Sequence, residues 1–145
     1  MCVLKIYSET YSFKTFSEKT NIPVYSVYDK GEYRNKKKTK MSKENSLSLD
    51  VSEKEWDDFP GQVTDALEFL SKYYEELSDL FGEIDNVDAY LDFPIYSRMN
   101  EEIANQNDHL PRDLVSIAGK LNLGIEMSQY SHDAFDGVSI QKMEP

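Results

Sequence analysis

Apolar and polar residues alternate with a period of two in four segments of the chain, 2–7, 46–51, 87–96 and 123–130. This period is typical of strands that bury one face. A fifth strand is predicted at 24–28, directly after Pro23. Within 87–96, Pro94 lacks an N–H, which predicts that it lies at a strand end or at a sheet edge.

Helical spacing of apolar residues predicts three helices between these strands. The first is short and lies within 11–20. The second is long, with Asp57 and Asp58 where an N-cap and a favourable charge for the helix dipole belong, Pro60 in its first turn and Gly82 as its C-terminal cap. Its apolar stripe consists of Val63, Ala66, Leu67, Leu70, Tyr74, Leu77 and Phe81. The third helix begins at Pro111 and turns inward the side chains of Leu114, Ile117, Ala118 and Leu121.

The predicted order of elements is strand, helix, strand, strand, helix, strand, helix, strand. Its first six elements form the β-α-β-β-α-β arrangement of a ferredoxin-like domain, to which one helix and one strand are appended. Because the strands alternate and are not apolar throughout, we expect the helices on one sheet face and the other face open or partly open. The chain is thus predicted to be a single α+β domain over 1–145, with a weakly ordered tail at 131–145.

Composition and charge narrow the classes of function. The chain has 145 residues, 39% of them hydrophobic, which is enough to bury a core. Its 27 acidic and 16 basic side chains give a net charge of −11, which disfavours nucleic acid and favours a basic protein as partner. No apolar run reaches the length of a membrane span, and the single Cys2 cannot form an internal disulfide. We therefore expect a cytoplasmic protein without membrane contact.

One run of the sequence departs from this acidic character. Residues 30–43 contain seven basic side chains and one acid, Glu32, so the rest of the chain carries 9 basic and 26 acidic groups, a net charge of −17. Like charges this dense predict a mobile loop at about 30–45. Three interpretations stay open: a grip on RNA or an acidic partner, a solvated hairpin, and folding back onto the acidic remainder. The grip would use Arg34, Lys36, Lys37, Lys38 and Lys40.

The sequence holds few groups suited to catalysis. Neither a glycine-rich phosphate loop nor a CxxC or HExxH motif occurs, and we predict no metal and no cofactor. His132 beside Asp133 could serve as a general base, although a solvated tail histidine is the favoured interpretation. His109 is interpreted as a capping or surface residue. We therefore expect that the protein is not an enzyme.

The polar faces of the strands carry the strongest functional signal. Helices over Leu4, Leu49, Leu91 and Ile125 would leave tyrosines and carboxylates, together with Lys5, on the opposite face. Tyrosine anchors among carboxylates are typical of a surface that binds a basic protein. The alternative is an ordinary solvent-facing sheet, where tyrosine is common. The predicted partner-binding residues are Tyr7, Asp88, Tyr90, Asp92, Tyr96, Glu126 and Tyr130.

Three stretches also carry a resemblance to a known family: DDFPGQV at the entry to the long helix, DALEFL within it, and the closing LNLGIEMSQY. On these motifs the segment Leu47–Tyr130 resembles a family of uncharacterised bacterial domains of unknown function, built on duplicated ferredoxin-like units. The resemblance implies a fold, and no set of catalytic residues can be carried over from that family. In size, charge and lack of catalytic motifs, the chain is also similar to the immunity proteins of bacterial toxin systems.

These expectations converge on a non-enzymatic immunity protein that binds and neutralises a cognate basic bacterial toxin, such as a nuclease. The alternative is a small regulatory domain that binds a ligand in the cleft between helices and sheet. The oligomeric state stays open.

Overall fold

Five strands and four helices make up residues 1–133, the part of the chain that the computed structural model describes. The strands are Cys2–Ser8 (β1), Val24–Tyr28 (β2), Asn45–Ser52 (β3), Asp88–Tyr96 (β4) and Gly124–Tyr130 (β5). The helices are Lys14–Lys19 (α1), Phe59–Lys72 (α2), Tyr74–Gly82 (α3) and Arg112–Lys120 (α4). These elements confirm the α+β class and all five predicted strands.

The strands form one mixed sheet in the order β2-β3-β1-β4-β5. Neighbouring strands are antiparallel from β2 to β4, and β5 runs parallel to β4. The central strand is β1, where Leu4 pairs with Leu49 of β3 and with Leu91 of β4. All three leucines are 0% exposed. Their burial contributes roughly 1.5–3 kcal/mol per side chain to the middle of the core.

One face of the sheet and the helices share a single buried cluster, as the alternation of the strands predicts. The sheet contributes Leu4, Ile6, Leu47, Leu49, Leu91 and Phe93 to it. The helices contribute Val63, Ala66, Leu70, Leu77, Leu114 and Ala118. The helices therefore pack on one side of the sheet, and alternate residues of each strand face the other way.

The long helix predicted between Pro60 and Phe81 is wrong as one continuous element, because the segment forms two helices, α2 and α3. They meet at Tyr73, whose φ of −106° and ψ of 16° depart from helical geometry. The Tyr73 N–H still donates to Phe69 O at 3.0 Å, and its carbonyl oxygen accepts from the Leu77 N–H at 2.9 Å. The chain thus bends without losing these bonds. Neither proline nor glycine lies at the bend, so no local signal predicts it.

The predicted start of α2 is confirmed by its cap. Asp58 Oδ1 accepts a hydrogen bond from the Gly61 N–H at 3.0 Å, which satisfies one of the free donors at the helix end. A Cβ atom at Gly61 would clash with the Asp58 carboxylate. The DDFPGQV motif therefore encodes a tight cap that needs both the aspartate and the glycine.

Pro94 lies inside β4, yet beyond the reach of β1. The pairing of β4 with β1 covers Asp88 to Asp92, whereas the pairing with β5 continues to Tyr96. On its β1 side, β4 is thus an edge strand at Pro94, where a missing N–H interrupts no ladder. The prediction that Pro94 lies at an edge is therefore confirmed for the side of β4 that faces β1.

Residues 29–44 continue the β2–β3 hairpin beyond the sheet. Tyr33 and Met41 form an antiparallel bridge, and the Arg34 N–H donates to Lys40 O at 2.7 Å. Mobility of this loop stays a prediction. The predicted weakly ordered tail lies, from residue 134 onward, outside the described residues.

Candidate binding surface on the open face of the sheet

The face of the sheet opposite the helices, here called the open face, carries all the predicted partner-binding residues. The register places Asp92 beside Glu126 and Tyr96 beside Tyr130, so each pair projects from the same side. The predicted residues thereby share one part of the open face, on β1, β4 and β5, and the face continues onto β3 with Ser46, Ser48 and Asp50. The polar and aromatic side chains of the three-strand part are Lys5 and Tyr7 of β1, Asp88, Tyr90, Asp92 and Tyr96 of β4, and Glu126, Ser128 and Tyr130 of β5.

Asp92 is already engaged within the open face. Its Oδ2 lies 3.1 Å from Lys5 Nζ, and its Oδ1 accepts a hydrogen bond from Ser128 Oγ at 2.6 Å. The side chains of Lys5 and Asp92 are only 20% and 14% exposed. Asp92 therefore ties β1, β4 and β5 together, and its negative charge is largely compensated.

Tyr7 and Tyr90 stack on the same face, with ring centroids 6.1 Å apart and an interplanar angle of 23°. Burial raises the pKa of the Tyr90 hydroxyl well above its usual range, and the hydrogen bond with Tyr7 and the charges of Glu126 and Asp92 add to this. A Cβ at Gly124 would lie 3.3 Å from the Tyr90 Cβ, so glycine leaves room beside this ring. The pair presents neutral aromatic surface with a polar tip.

A cluster of four rings, here called the aromatic cluster, lies at the end of the open face where β4 and β5 terminate. Trp56 stacks on Tyr130 at 4.7 Å and 19°, and lies tilted against Tyr96 at 5.4 Å and 57°. His132 in turn stacks on Tyr96 at 5.1 Å and 12°. The first three residues are half-buried and His132 is exposed. Rigid rings of this kind supply contact area at a low cost in conformational entropy.

A buried glutamine of α2 holds the loop that carries Trp56. Gln62 is 0% exposed, and its Nε2 donates to Glu55 O at 3.1 Å and to Pro94 O at 2.9 Å. The Trp56 carbonyl oxygen accepts from the Tyr96 N–H at 3.1 Å. Helix, loop and strand are thereby locked together, and Trp56 is positioned at the end of β4.

The accessible negative charge lies around the engaged centre of the open face. Asp88 begins β4 and Glu126 lies on the edge strand β5, and both residues are exposed. Neither takes part in a salt bridge among residues 1–133. Exposed acids also flank the aromatic cluster, in the loop before α2: Glu53, Glu55 and Asp57. A cationic partner would therefore meet aromatic rings bordered by free carboxylates.

Sequence reasoning misses two members of this surface, Trp56 and Ser128. Trp56 is the one tryptophan of the chain and precedes two aspartates, which is a usable signal for a surface anchor. Ser128 has no comparable signal, because its role depends on the register between β4 and β5. His132 belongs to the aromatic cluster, whereas His109 is exposed in the segment before α4.

The fold is a small α+β domain, and one face of its sheet carries acidic and aromatic side chains. Residues 1–132 match the model of the family described as domain of unknown function (DUF4279), so the chain belongs to that family. Membership in an uncharacterised family is confirmed over a longer span than the resemblance of Leu47–Tyr130. No curated protein and no solved structure matches the chain. Within residues 1–133, no helix has both the length and the apolar character needed to cross a membrane.

Proposed function

We propose that this protein binds a basic partner protein through its open face and performs no chemistry itself. The observation that carries the proposal is the aromatic cluster, bordered by exposed carboxylates, on a sheet face that the helices leave uncovered. In its most specific form the protein is a bacterial immunity protein that neutralises a cognate basic toxin, such as a nuclease.

Binding would follow from two separate contributions. The net charge of −11 draws a cationic partner in from a distance and speeds the encounter. Trp56, Tyr96 and Tyr130 then act as anchors that exclude water at the centre of the contact. Neutralisation requires only that the cationic site of the toxin be covered or distorted, so no nucleophile is needed.

The proposal extends to topology and location. We assign β1 to β4 and the helices between them to the ferredoxin-like topology, which the order β2-β3-β1-β4 with antiparallel neighbours supports. We place the protein in the cytoplasm, in line with its one cysteine, Cys2, which is buried and free.

A second candidate function is the binding of a small ligand on the helix side. An open groove of about 540 Å³ lies between the C-terminal ends of α3 and α4, with Phe81, Ile84, Lys120 and Asn122 in its wall. A metabolite that raises the melting temperature of the wild type but not of a Phe81→Asp variant would favour this candidate. An unchanged melting temperature across a broad panel would remove it.

The main proposal is tested by affinity capture from the source cells, followed by kinetics on the partner that is recovered. We expect one basic protein to elute at high salt, with an association rate that falls as ionic strength rises. The charge reversal Asp88→Lys/Glu126→Lys should slow association about tenfold at low salt. Trp56→Ala should mainly speed dissociation.

The matched control reverses two acids on the helix side, Glu68→Lys/Asp79→Lys, both of which are exposed. This variant has the same net charge as the open-face variant, so it separates a local surface from a general effect of charge. Equal slowing in the two variants would contradict binding through the open face. Association that does not depend on salt would overturn the electrostatic mechanism.

A further inference from the structure

The segment 30–43, here called the basic hairpin, keeps its positive charge exposed. Its one acid, Glu32, is compensated from outside the hairpin, because its Oε1 lies 2.9 Å from Lys14 Nζ and accepts from the Asp29 N–H at 2.7 Å. None of the seven basic side chains of the hairpin forms a salt bridge within residues 1–133. With 26 acidic groups elsewhere in the chain, this segregation is not due to a shortage of partners.

Backbone bonds and one side-chain amide give the basic hairpin a defined shape. Asn35 Oδ1 accepts from the N–H groups of Thr39 and Lys40 at 3.0 and 3.2 Å, which closes the tip. Nearer the sheet, the Ser42 N–H donates to Glu32 O at 2.8 Å. These hydrogen bonds define the backbone conformation of the hairpin and thereby the positions from which its side chains project.

A groove of about 590 Å³ lies at the base of this hairpin. Four of the seven basic residues line it, Lys30, Arg34, Lys40 and Lys43, and Ser42 is part of the same wall. Ser42 is 5% exposed, and its buried Oγ has no hydrogen-bond partner among the described residues. Buried hydroxyls are nearly always paired, so this one points to a missing acceptor.

We propose that this groove binds a compact ligand that carries several phosphate groups, of the kind found in an inorganic triphosphate or in the triphosphate of a nucleotide. Phosphate oxygens accept hydrogen bonds from guanidinium, ammonium and hydroxyl groups, which are the donors that Arg34, Lys40 and Ser42 provide. The ligand is compact because the chain outside the hairpin carries a net charge of −17. A long polyanion that left the groove would be repelled by that surface.

Calorimetric titration with inorganic tripolyphosphate at about 50 mM salt tests this site directly. We expect binding of one tripolyphosphate per chain. The double variant Arg34→Gln/Lys40→Gln should weaken binding on the order of tenfold or more, because it removes two charge-assisted donors from the groove. The matched control, Lys36→Gln/Lys37→Gln, removes the same charge from the tip, which does not line the groove, and should change affinity less than about threefold.

The Ser42→Ala variant adds a test that leaves the charge unchanged, and it should also weaken tripolyphosphate binding. Parallel titrations with a nucleoside triphosphate and with a 20-nucleotide single-stranded RNA distinguish the sources of the phosphate groups. Affinity for the nucleoside triphosphate above that for tripolyphosphate would indicate that the base is recognised too. Tighter binding of the RNA, equal weakening by both double variants, or no binding of tripolyphosphate to the wild type would overturn the proposal.

Discussion

Lys5 Nζ and Asp92 Oδ2 lie 3.1 Å apart across the β1–β4 pair and form an ion pair on the open face. The second oxygen of Asp92 accepts from Ser128 of β5. Both charges are more than three-quarters shielded from solvent. An isolated carboxylate at this position would be costly, so Lys5 makes the acidic open face compatible with a stable sheet.

Replacement of Lys5 by methionine is expected to destabilise the fold by about 1–3 kcal/mol. Methionine keeps the apolar stem of the lysine but, of the contacts described for Asp92 in residues 1–133, leaves only the hydrogen bond from Ser128. Urea denaturation at pH 7, monitored through Trp56 fluorescence, measures the loss.

The double variant Lys5→Met/Asp92→Leu provides the control for this pair. Because the double variant removes both charges, its loss in the free energy of unfolding should be smaller, by about 1 kcal/mol or more, than the sum of the losses in the two single variants. Strict additivity would mean that the two residues are not energetically coupled.

Gln62→Leu is expected to lower the free energy of unfolding by about 2–3 kcal/mol, even though it replaces a polar core residue with an apolar one of similar size. The substitution removes the donor from the buried bond to Pro94 O and one of the two donors of Glu55 O, which still accepts from the Asp58 N–H at 3.0 Å. Since Glu55 precedes Trp56, the tryptophan emission of the folded variant should also shift to longer wavelength.

Thr64→Ala, on the exposed side of the same helix, is the control for that substitution. Thr64 Oγ1 donates only to Pro60 O, one turn earlier in α2. Its removal should change the free energy of unfolding by less than about 0.5 kcal/mol. Wild-type stability of Gln62→Leu would show that solvent or rearrangement satisfies the Pro94 carbonyl oxygen.

The strands and the composition of the open face were predictable because a period of two is a local property. Alternation alone puts Asp88, Tyr90 and Asp92 on one side of β4, whatever the neighbouring strands are. The pairing of Asp92 with Lys5 is different in kind. It depends on which strands are adjacent and in what register, and no spacing in the sequence encodes this.

The distinction between local and long-range information also applies to the helix break at Tyr73 and to the buried Gln62, neither of which was predicted. The break between α2 and α3 at Tyr73 preserves the local hydrogen bonds and falls within a continuous helical pattern that contains neither proline nor glycine at this point. Gln62 is the one polar residue among the buried residues of α2, and its Nε2 donates to acceptors seven and 32 positions away, whereas its buried Oε1 has no hydrogen-bond partner among the described residues. Long-range satisfaction of a buried polar group cannot be inferred from its neighbours in sequence.

Asp50→Asn is expected to stabilise the protein at neutral pH and to have no effect at acidic pH. Asp50 Oδ1 is buried without a hydrogen-bond partner among the described residues, and burial, followed by the charge of Glu53, raises the pKa of this carboxyl. A raised pKa means that the folded state binds this proton more tightly than the unfolded state does. The stability contributed by the group is therefore complete below the unfolded pKa and is lost as pH rises through the folded pKa.

Urea unfolding of Asp50→Asn and wild type at several pH values between 3 and 7 measures this effect. The gain at pH 7 should be at most about 1 kcal/mol, because solvent reaches part of the side chain. It should persist in 0.5 M salt, since burial and not charge repulsion is the larger cause. A variant less stable than wild type at pH 7 would contradict this interpretation.

Ser42→Ala should leave the free energy of unfolding unchanged or raise it by up to about 1 kcal/mol, because it removes a buried hydroxyl that has no hydrogen-bond partner within residues 1–133. Ser52 provides a matched comparison: it is also buried, but its Oγ donates to Asp65 Oδ2 at 2.7 Å and accepts from the Lys54 N–H at 3.2 Å. Ser52→Ala should therefore lower the free energy of unfolding by about 1–2 kcal/mol.

Comparison of the two serine variants shows whether a buried hydroxyl stabilises the free protein or serves only to bind a ligand. A loss of stability in Ser42→Ala equal to that in Ser52→Ala would show that the Ser42 hydroxyl already has a partner in the free protein. We expect the opposite result: Ser42→Ala has an unchanged or higher free energy of unfolding and binds tripolyphosphate more weakly. This combination is typical of a residue that contributes to ligand binding and lowers the stability of the unliganded protein.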